Sequence, residues 1–313
     1  MGEARQAGPT RSLAQKYYIR QGRGCFAQSG LAWMAGRKSV RGHKQVLKGL
    51  EMSEARIDYE VRDGVARLTL HQPQKLNAMS FDMWAALPAL VARAVADEAV
   101  RAIAVEGAGE KAFCSGADIS QFGEKRSSEE AVAAYEDAVR GGLAALAEAQ
   151  KPTLALIRGI CFGGGLALAM SCDLRLVREG ARFSIPAAKL GLGYAYNNLD
   201  FLVRRIGLGA AADIFYSARQ LDAREALRLG LAQHVWSDAT FEEEAATYLA
   251  RLAANAPLTL RALAVSFREL AKPEAERHRA QADKAVAACF ASEDYQEGRR
   301  AFAEKRAPDF KGR

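Results

Sequence analysis

Gly159-Ile160-Cys161-Phe162-Gly163-Gly164-Gly165-Leu166-Ala167-Leu168-Ala169-Met170-Ser171-Cys172-Asp173 is the stretch on which the reading of this 313-residue chain turns. A strand-like apolar run, 152–158, leads into it, and a second, 174–177, leads out. Between them three glycines open a short helix, 166–170, that is apolar on every side, the mark of a buried helix. The first N–H groups of a helix have no partner within it, and the helix dipole favours negative charge at that end. Glycines leave those donors bare, with no side chain to screen them. The stretch therefore reads as a buried helix aiming backbone donors at an oxygen that carries or develops negative charge. The competing reading is that the glycines only let helix and strand pack closely. Two nucleotide-site readings fail on spacing. The dinucleotide fingerprint counted from Gly163 needs glycine where Leu168 stands, and the P-loop needs Gly-Lys-Ser/Thr where Leu166 follows the glycines. A backbone oxyanion site remains.

Half of the residues are hydrophobic, enough for a sizeable core, and no run approaches the ~20 apolar residues of a membrane span. The net charge of +7 is unevenly spread. Residues 1–50 hold ten Lys or Arg against one acid, Glu3, and carry +9; the remainder holds 34 basic and 36 acidic residues and carries −2. A near-neutral globular part argues against nucleic acid as its partner. Five cysteines (Cys25, Cys114, Cys161, Cys172, Cys289) show no C-x-x-C pairing and no metal-ligand spacing, which suits a reducing compartment. The four histidines are scattered and form no H-E-x-x-H. Three readings compete for the basic, glycine-rich segment 1–52: a tail that binds something acidic, a transit segment, or an extension without a folded role, Met52 being the physiological start. The last is preferred because Met52-Ser53-Glu54-Ala55-Arg56 runs straight into a strand. It places the protein in the cytoplasm, whereas the transit reading places it in an organellar matrix.

From Met52 onward, 57–62 and 65–70 alternate apolar and polar residues around Asp63-Gly64, a hairpin signal. After a loop at 71–79, Ser80 caps a helix to about residue 97, with a kink or early break expected at Pro88. A buried strand follows at 102–106, a strand end and turn at 112–119, and a long helix at 128–149. Strand, turn, strand and helix recur, which argues for an α/β domain with mostly parallel sheets. A Gly/Pro loop at 182–193 leads to Tyr194-Ala195-Tyr196-Asn197-Asn198. The remainder reads as helices at 199–206, 209–217, 222–230, 240–254, 258–270 and 274–291, then a charged tail at 293–313. The expected division is an α/β core at 53–200 and a helical region at 201–313, whose apolar faces suit packing on another subunit.

These residues carry a likeness. From about Tyr59 to Gly312 the chain resembles the crotonase superfamily, the enoyl-CoA hydratase/isomerase-like proteins. Lys75-Leu76-Asn77-Ala78 resembles the loop that touches coenzyme A. Ala112-Phe113-Cys114-Ser115-Gly116-Ala117-Asp118-Ile119 resembles the segment of the first oxyanion donor, and Gly163-Gly164-Gly165 that of the second. Ala218-Arg219-Gln220-Leu221-Asp222-Ala223-Arg224-Glu225-Ala226 with Gly230-Leu231-Ala232, and Ser292-Glu293-Asp294 on to Ala301-Phe302-Ala303-Glu304-Lys305-Arg306, resemble the turn after the core and the closing helix. The resemblance implies a spiral of ββα units with a C-terminal helical oligomerisation region, assembled as a homotrimer or dimer of trimers. It implies an acyl-CoA or enoyl-CoA thioester as ligand and no other cofactor. The thioester oxygen would lie between the N–H groups of Ala117 and Gly164, with Asp118, Ile119, Gly163, Ala167 and Ala187 around the substrate. Lys75 and Leu76 would line the coenzyme A groove. Phe302 and Lys305, from the same or a neighbouring subunit, would meet its adenine and phosphate end.

The likeness breaks where hydratases of this superfamily carry two glutamates that handle water. Those positions are Ala167, three residues past the middle glycine, and Ala187, after Pro186; an aspartate used by other members aligns with Ala195. Alanine neither gives nor takes a proton, so two-glutamate hydration is not expected. The polar residues left in the covering loop are Tyr194, Tyr196, Asn197 and Asn198, with Lys189 and Ser184 in the same region. They are candidates for orienting substrate or water, against the plainer reading of packing tyrosines and turn asparagines. Asp118 reads first as a cap of the following helix, Asp173 as structural, and Cys114 and Cys161 as small core residues. Two functions follow: an enzyme acting on a coenzyme A thioester without the paired carboxylates, or a non-catalytic acyl-CoA binder. A serine-peptidase reading finds no Gly-x-Ser-x-Gly elbow.

Overall fold

Asp63 and Gly64, at φ 51° and 74°, turn β1 (Arg56–Arg62) back onto β2 (Val65–His71). The antiparallel register runs unbroken from Arg56 opposite His71 to Arg62 opposite Val65. The computed structural model describes residues 55–121, 128–194 and 196–313, without the side chains of Asn197 and Asn198. The extension read at 1–52 and the position of Ala195 lie outside the described residues.

Beyond β2, every step across the first sheet is parallel. Its order is β1-β2-β3-β5-β7-β10, with β3 at Ala102–Gly107, β5 at Thr153–Ile157, β7 at Leu174–Arg178 and β10 at His234–Trp236. Every residue of β3 and β5 is buried, as expected of parallel strands covered on both faces. A second sheet has the order β4-β6-β8-β9, with β4 at Ala112–Cys114, β6 at Ile160–Phe162, β8 at Arg182–Ser184 and β9 at Leu221–Asp222. Consecutive strands alternate between the sheets: β3 then β4, β5 then β6, β7 then β8. Helices α1 (Phe81–Ala96), α2 (Glu129–Ala147) and α3 (Gly164–Ser171) carry the chain back after successive strand pairs, so strand-strand-helix is the repeating unit.

Local chemistry sets the helix ends. Ser80 Oγ accepts from Met83 N at 3.2 Å and Ser128 Oγ from Ala131 N at 3.2 Å, each taking up one orphan donor. Of the kink or early break expected at Pro88, the break does not occur; α1 runs through it. The reason lies across the helix pair. A methyl group at Gly142 of α2 would stand 3.1 Å from the Trp84 ring and 3.3 Å from the Trp84 carbonyl oxygen, and one at Gly141 would touch Pro88 Cγ at 3.9 Å. The small Gly141-Gly142 pair lets α2 lie directly on the turn that the proline weakens.

The stretch after residue 199 is less purely helical than its sequence pattern implies. It forms α4 (Tyr196–Ile206), α5 (Leu208–Ser217), α6 (Ala223–Arg228), α7 (Phe241–Ala253), α8 (Pro257–Ala271), α9 (Arg279–Phe290) and α10 (Glu293–Glu304), but it also supplies β9 and β10, one to each sheet. The single helix expected at 274–291 begins instead as a 3-10 turn, Glu274–Glu276, because the Glu269 carboxylate takes the His278 N–H at 2.5 Å and holds a bend there. The segment read from its composition as a charged tail is largely α10, where the resemblance implied a closing helix, and its charges are used internally. Asp294 accepts from the backbone N–H groups of Lys311 and Gly312, and Glu297 from that of Asp309 and from Arg306. Among the described residues no helix is long and apolar enough to cross a membrane, and no His/Cys/Asp/Glu group could hold a metal ion.

Arg158, at the exit of β5, ties the first sheet to α7. It is buried, donates to Glu106 at 3.0 Å, and makes two 2.6 Å hydrogen bonds to Glu242 in the first turn of α7. Removing one partner of a buried pair strands the other. Arg158→Met is expected to lower the unfolding free energy by about 3 kcal/mol, the lower end for such a loss because Glu106 keeps Arg67 at 2.9 Å. Arg158→Lys, which keeps the charge but not the paired grip, is expected to lose less. Denaturant unfolding of the two variants checks the order.

Candidate functional site

The three glycines at the mouth of α3 serve different ends. Gly163 is the N-cap, at φ 50° and ψ −118°, a conformation that disfavours any residue with a Cβ, and its N–H donates to Ser184 O of β8 at 2.8 Å. Gly165 is a close-approach residue: a methyl group there would lie 2.2 Å from the carbonyl oxygen and 2.8 Å from the Cβ of Cys114, at the end of β4. Between them Gly164 is the first residue of the helix. Ala167 N closes the first turn on Gly163 O at 3.1 Å, whereas the Gly164 N–H has no partner among the described residues. Leu166, Leu168, Ala169 and Met170 are buried, so the helix is sunk in the core along its length.

The segment packed against that mouth is fixed by a short parallel ladder. Ser115 N donates to Leu76 O at 3.0 Å, Met79 N to Gly116 O at 2.7 Å, and Asp118 N to Met79 O at 2.9 Å. Successive N–H groups of an extended chain point to opposite sides. The ladder uses Asp118 N, so the N–H of Ala117, one residue before it, faces away, again with no partner among the described residues; Ser115 N joins the ladder as well because Gly116, at φ 112°, interrupts the alternation. The two bare nitrogens are neighbours. A methyl group on Gly164 would stand 3.5 Å from Ala117 N, and one on Gly116 3.3 Å from Gly164 N.

Asp118 holds this segment to the loop before α1. It is almost fully buried and accepts from Lys75 Nζ at 2.7 Å, Gln72 Nε2 at 3.1 Å, Ser120 Oγ at 2.6 Å and Ser120 N at 3.1 Å. Burial alone would raise its pKa; the hydrogen bonds from Lys75, Ser120 and Gln72 outweigh that and hold it at about 2. The Ser120 contacts cap the 3-10 turn Ile119–Gln121. Asn77 completes the loop at φ 55°, its amide nitrogen donating to the carbonyls of Ala108 and Ala112 and its amide oxygen accepting from Gln72 N.

A family model described as enoyl-CoA hydratase/isomerase matches residues 60–313. The chain belongs to the enoyl-CoA hydratase/isomerase family. It is 31% identical to the short-chain-enoyl-CoA hydratase of Clostridium acetobutylicum, over 77% of this chain and 92% of that protein. It is 30% identical to the mitochondrial methylglutaconyl-CoA hydratase of Mus musculus, over 92% of this chain and 93% of that one. Its fold is similar to that of an enoyl-CoA hydratase/carnithine racemase from Magnetospirillum magneticum, with a TM-score of 0.76 at 33% identity, covering 82% of this chain and 96% of that one. The crotonase-type α/β fold expected from the sequence is thus the fold found, and hydratases of this family need no cofactor beyond the coenzyme A thioester they act on.

The remaining residues read from the sequence divide into those near the donor pair and those apart from it. Ala167 stands half-buried one turn into α3, and Ala187 is buried in the 3-10 turn Pro186–Leu190 that follows β8. Ile119 is 72% exposed beside Asp118, and Leu76 is half-buried at φ 53° in the loop that the ladder grips. The Lys75 ammonium is already committed to Asp118 and Ser120. Tyr194 packs edge-on against Phe215, ring centroids 4.7 Å apart, and burial pushes its phenol up to about 12. Tyr196 is exposed at the start of α4; the side chain of Asn197 lies outside the described residues. Phe302 is exposed on α10 and Lys305 caps that helix at φ 55°. Phe302 lines an apolar groove of about 590 Å³ with Leu258, Leu263, Phe290 and Tyr295, apart from the donor pair. Burial pushes the Cys114 thiol up to about 12 and that of Cys161 well above its usual range, so neither is an ionised nucleophile. Sequence reasoning misses Gln72 and Ser120, since neither stands in a motif and their contacts with Asp118, Lys75 and Asn77 exist only in the folded loop.

The sign of the Asp118 shift gives a measurement. A carboxylate held at about 2 against an ordinary 3.8 contributes stability that is fully present above pH 4 and is lost as the pH falls through 2. Asp118→Asn is expected to cost about 2 kcal/mol at pH 7. It should also flatten the fall in unfolding free energy below pH 4, which denaturant melts at pH 7 and pH 3 compare directly.

Proposed function

We propose that this chain binds the coenzyme A thioester of an acyl or enoyl group and holds the thioester oxygen between the N–H groups of Ala117 and Gly164. One observation carries the reading: two neighbouring backbone donors, each without a partner among the described residues, one of them at the mouth of a buried helix. A thioester carbonyl gains negative charge when its α-carbon becomes enolate-like. A fixed donor aimed at that charge is worth about 3–4 kcal/mol. Both donors are neutral amides, so they act without a titration. In this reading Lys75 and Leu76 border the coenzyme A chain, with Asp118 holding Lys75 in place. Phe302 and Lys305, from this or a neighbouring copy, meet the adenine and its phosphates. The exposed apolar side chains Phe267, Leu270, Phe290 and Phe302 support assembly as a trimer or dimer of trimers.

Ala167 and Ala187 decide what the site does not do. Adding water across an enoyl thioester calls for a base and an acid, each worth about 10²–10⁴-fold, and a methyl group is neither. Lyase or isomerase chemistry here falls to Tyr194, Tyr196 or Asn197. Tyr194, kept protonated by its burial, is suited to donate rather than to abstract. The same two alanines favour a second reading, an acyl-CoA binder whose donors clamp a carbonyl. The cytoplasm is the proposed compartment, with an organellar matrix as the alternative, as for the mitochondrial mouse relative.

Two experiments test these readings. The infrared stretch of crotonyl-CoA labelled at its thioester carbonyl is expected to fall on binding. It should lose most of that fall in Gly164→Pro, because proline is at home in the first helical position but carries no N–H. An unshifted carbonyl on the wild-type protein would sink the proposal. Mass spectrometry of a panel of acyl- and enoyl-CoA thioesters then separates enzyme from binder: new products mean the former, and tight binding with every thioester returned intact means the latter.

A further inference from the structure

Arg175, in β7, is buried to 3% exposure, and among the described residues its guanidinium has no carboxylate within 4 Å. Instead it faces carbonyls. Nε donates to Leu231 O at 2.6 Å, and Nη1 to Cys172 O at 2.9 Å and Ala169 O at 3.5 Å. Cys172 is the C-cap of α3, so the guanidinium seals the rear of the helix whose front carries the Gly164 N–H. A buried cation without a counter-ion is costly; here the negative end of a helix dipole stands in for one. The neighbouring charges are already engaged. Asp173 accepts from Thr153 and Arg268, and Arg205 lies over the Phe201 ring.

The setting of α3 makes this contact consequential. Its flanks are apolar, and apolar contacts fix no direction along an axis. The hydroxyl of Ser171 and the thiol of Cys172 bond back to carbonyls of the helix itself. Polar ties that leave the helix are concentrated at its two ends, Gly163 N to Ser184 at the front and Arg175 at the rear, about 12 Å apart for eight residues. Resting on the thioester reading above, we propose that Arg175 is a positioning residue: by gripping the last carbonyls of the glycine-opened helix, it sets how the Gly164 N–H meets the thioester oxygen at the other end.

The test reads the labelled crotonyl-CoA carbonyl in Arg175→Gln and in the milder Arg175→Lys, neither of which spans Leu231 and Cys172 together. Each folded variant is expected to keep only part of the wild-type downshift, with crotonyl-CoA binding weakened about tenfold, a fraction of what losing a whole donor costs. Arg158→Met, which loses stability away from α3, should keep the full downshift. A full downshift in either folded Arg175 variant, alongside a lowered melting temperature, would mean that Arg175 only stabilises the fold and would overturn the inference. Should the glutamine variant not fold, the lysine variant decides by the same criterion. No downshift on the wild-type protein, or a full one in Gly164→Pro, instead defeats the underlying thioester reading and this inference with it.

Discussion

The contact of Gly165 with Cys114, too close for even a methyl group, brings together two segments fifty residues apart. It presses the first turn of α3 onto the end of β4, and with it the backbone of 163–164 onto that of 116–117. A larger residue at 165 would push the helix off the strand and part the two bare N–H groups. The surrounding architecture can be seen as support for that contact. β6 delivers Gly163 in its positive-φ conformation, β8 anchors its N–H, and the ladder from Leu76 to Asp118 turns Ala117 the right way. The donors are therefore set by close packing and backbone pairing, the two least adjustable features of a folded chain.

Charge is kept near this contact but not on it. Lys75 and Asp118 neutralise each other beside the Ala117 segment, and Arg175 is spent on carbonyls behind α3. Asp118 stays ionised, while the buried Tyr194 and Cys114 stay protonated, across the ordinary pH range. The bare donors are themselves dipoles rather than ions, and a dipole held rigidly in a poorly solvated place needs no reorganisation when charge appears beside it.

Much of this was legible in the sequence because it depends on local composition. Three glycines before an all-apolar helix specify a close approach and free donors, alternation around Asp63-Gly64 specifies a hairpin, and Ser80 and Ser128 announce their helices. What escaped depends on partners distant in the chain. Pro88 breaks nothing because Gly141 and Gly142 lie against it. β9 and β10, two and three residues long, are too short to show a period and exist because β8 and β7 offer edges. Gln72 reaches Asp118 across 46 positions, and Arg175 reads as one more basic residue in a strand until the helix end above it is known.

The same division separates the backbone donor pair from the side chains beside it. The Ala117 and Gly164 donors belong to the backbone, and their placement depends on Gly163, Gly165 and the ladder, none of which involves the side chains at 167 or 187. Ala167 projects from α3 one turn beyond Gly164, and Ala187 sits in a turn two residues past β8. Substitution at either position changes a side chain without removing any of the contacts that set the two donors. The donor pair is thus tied to the fold through backbone and glycine contacts, and the alanine side chains at 167 and 187 are not among the groups that hold it in place.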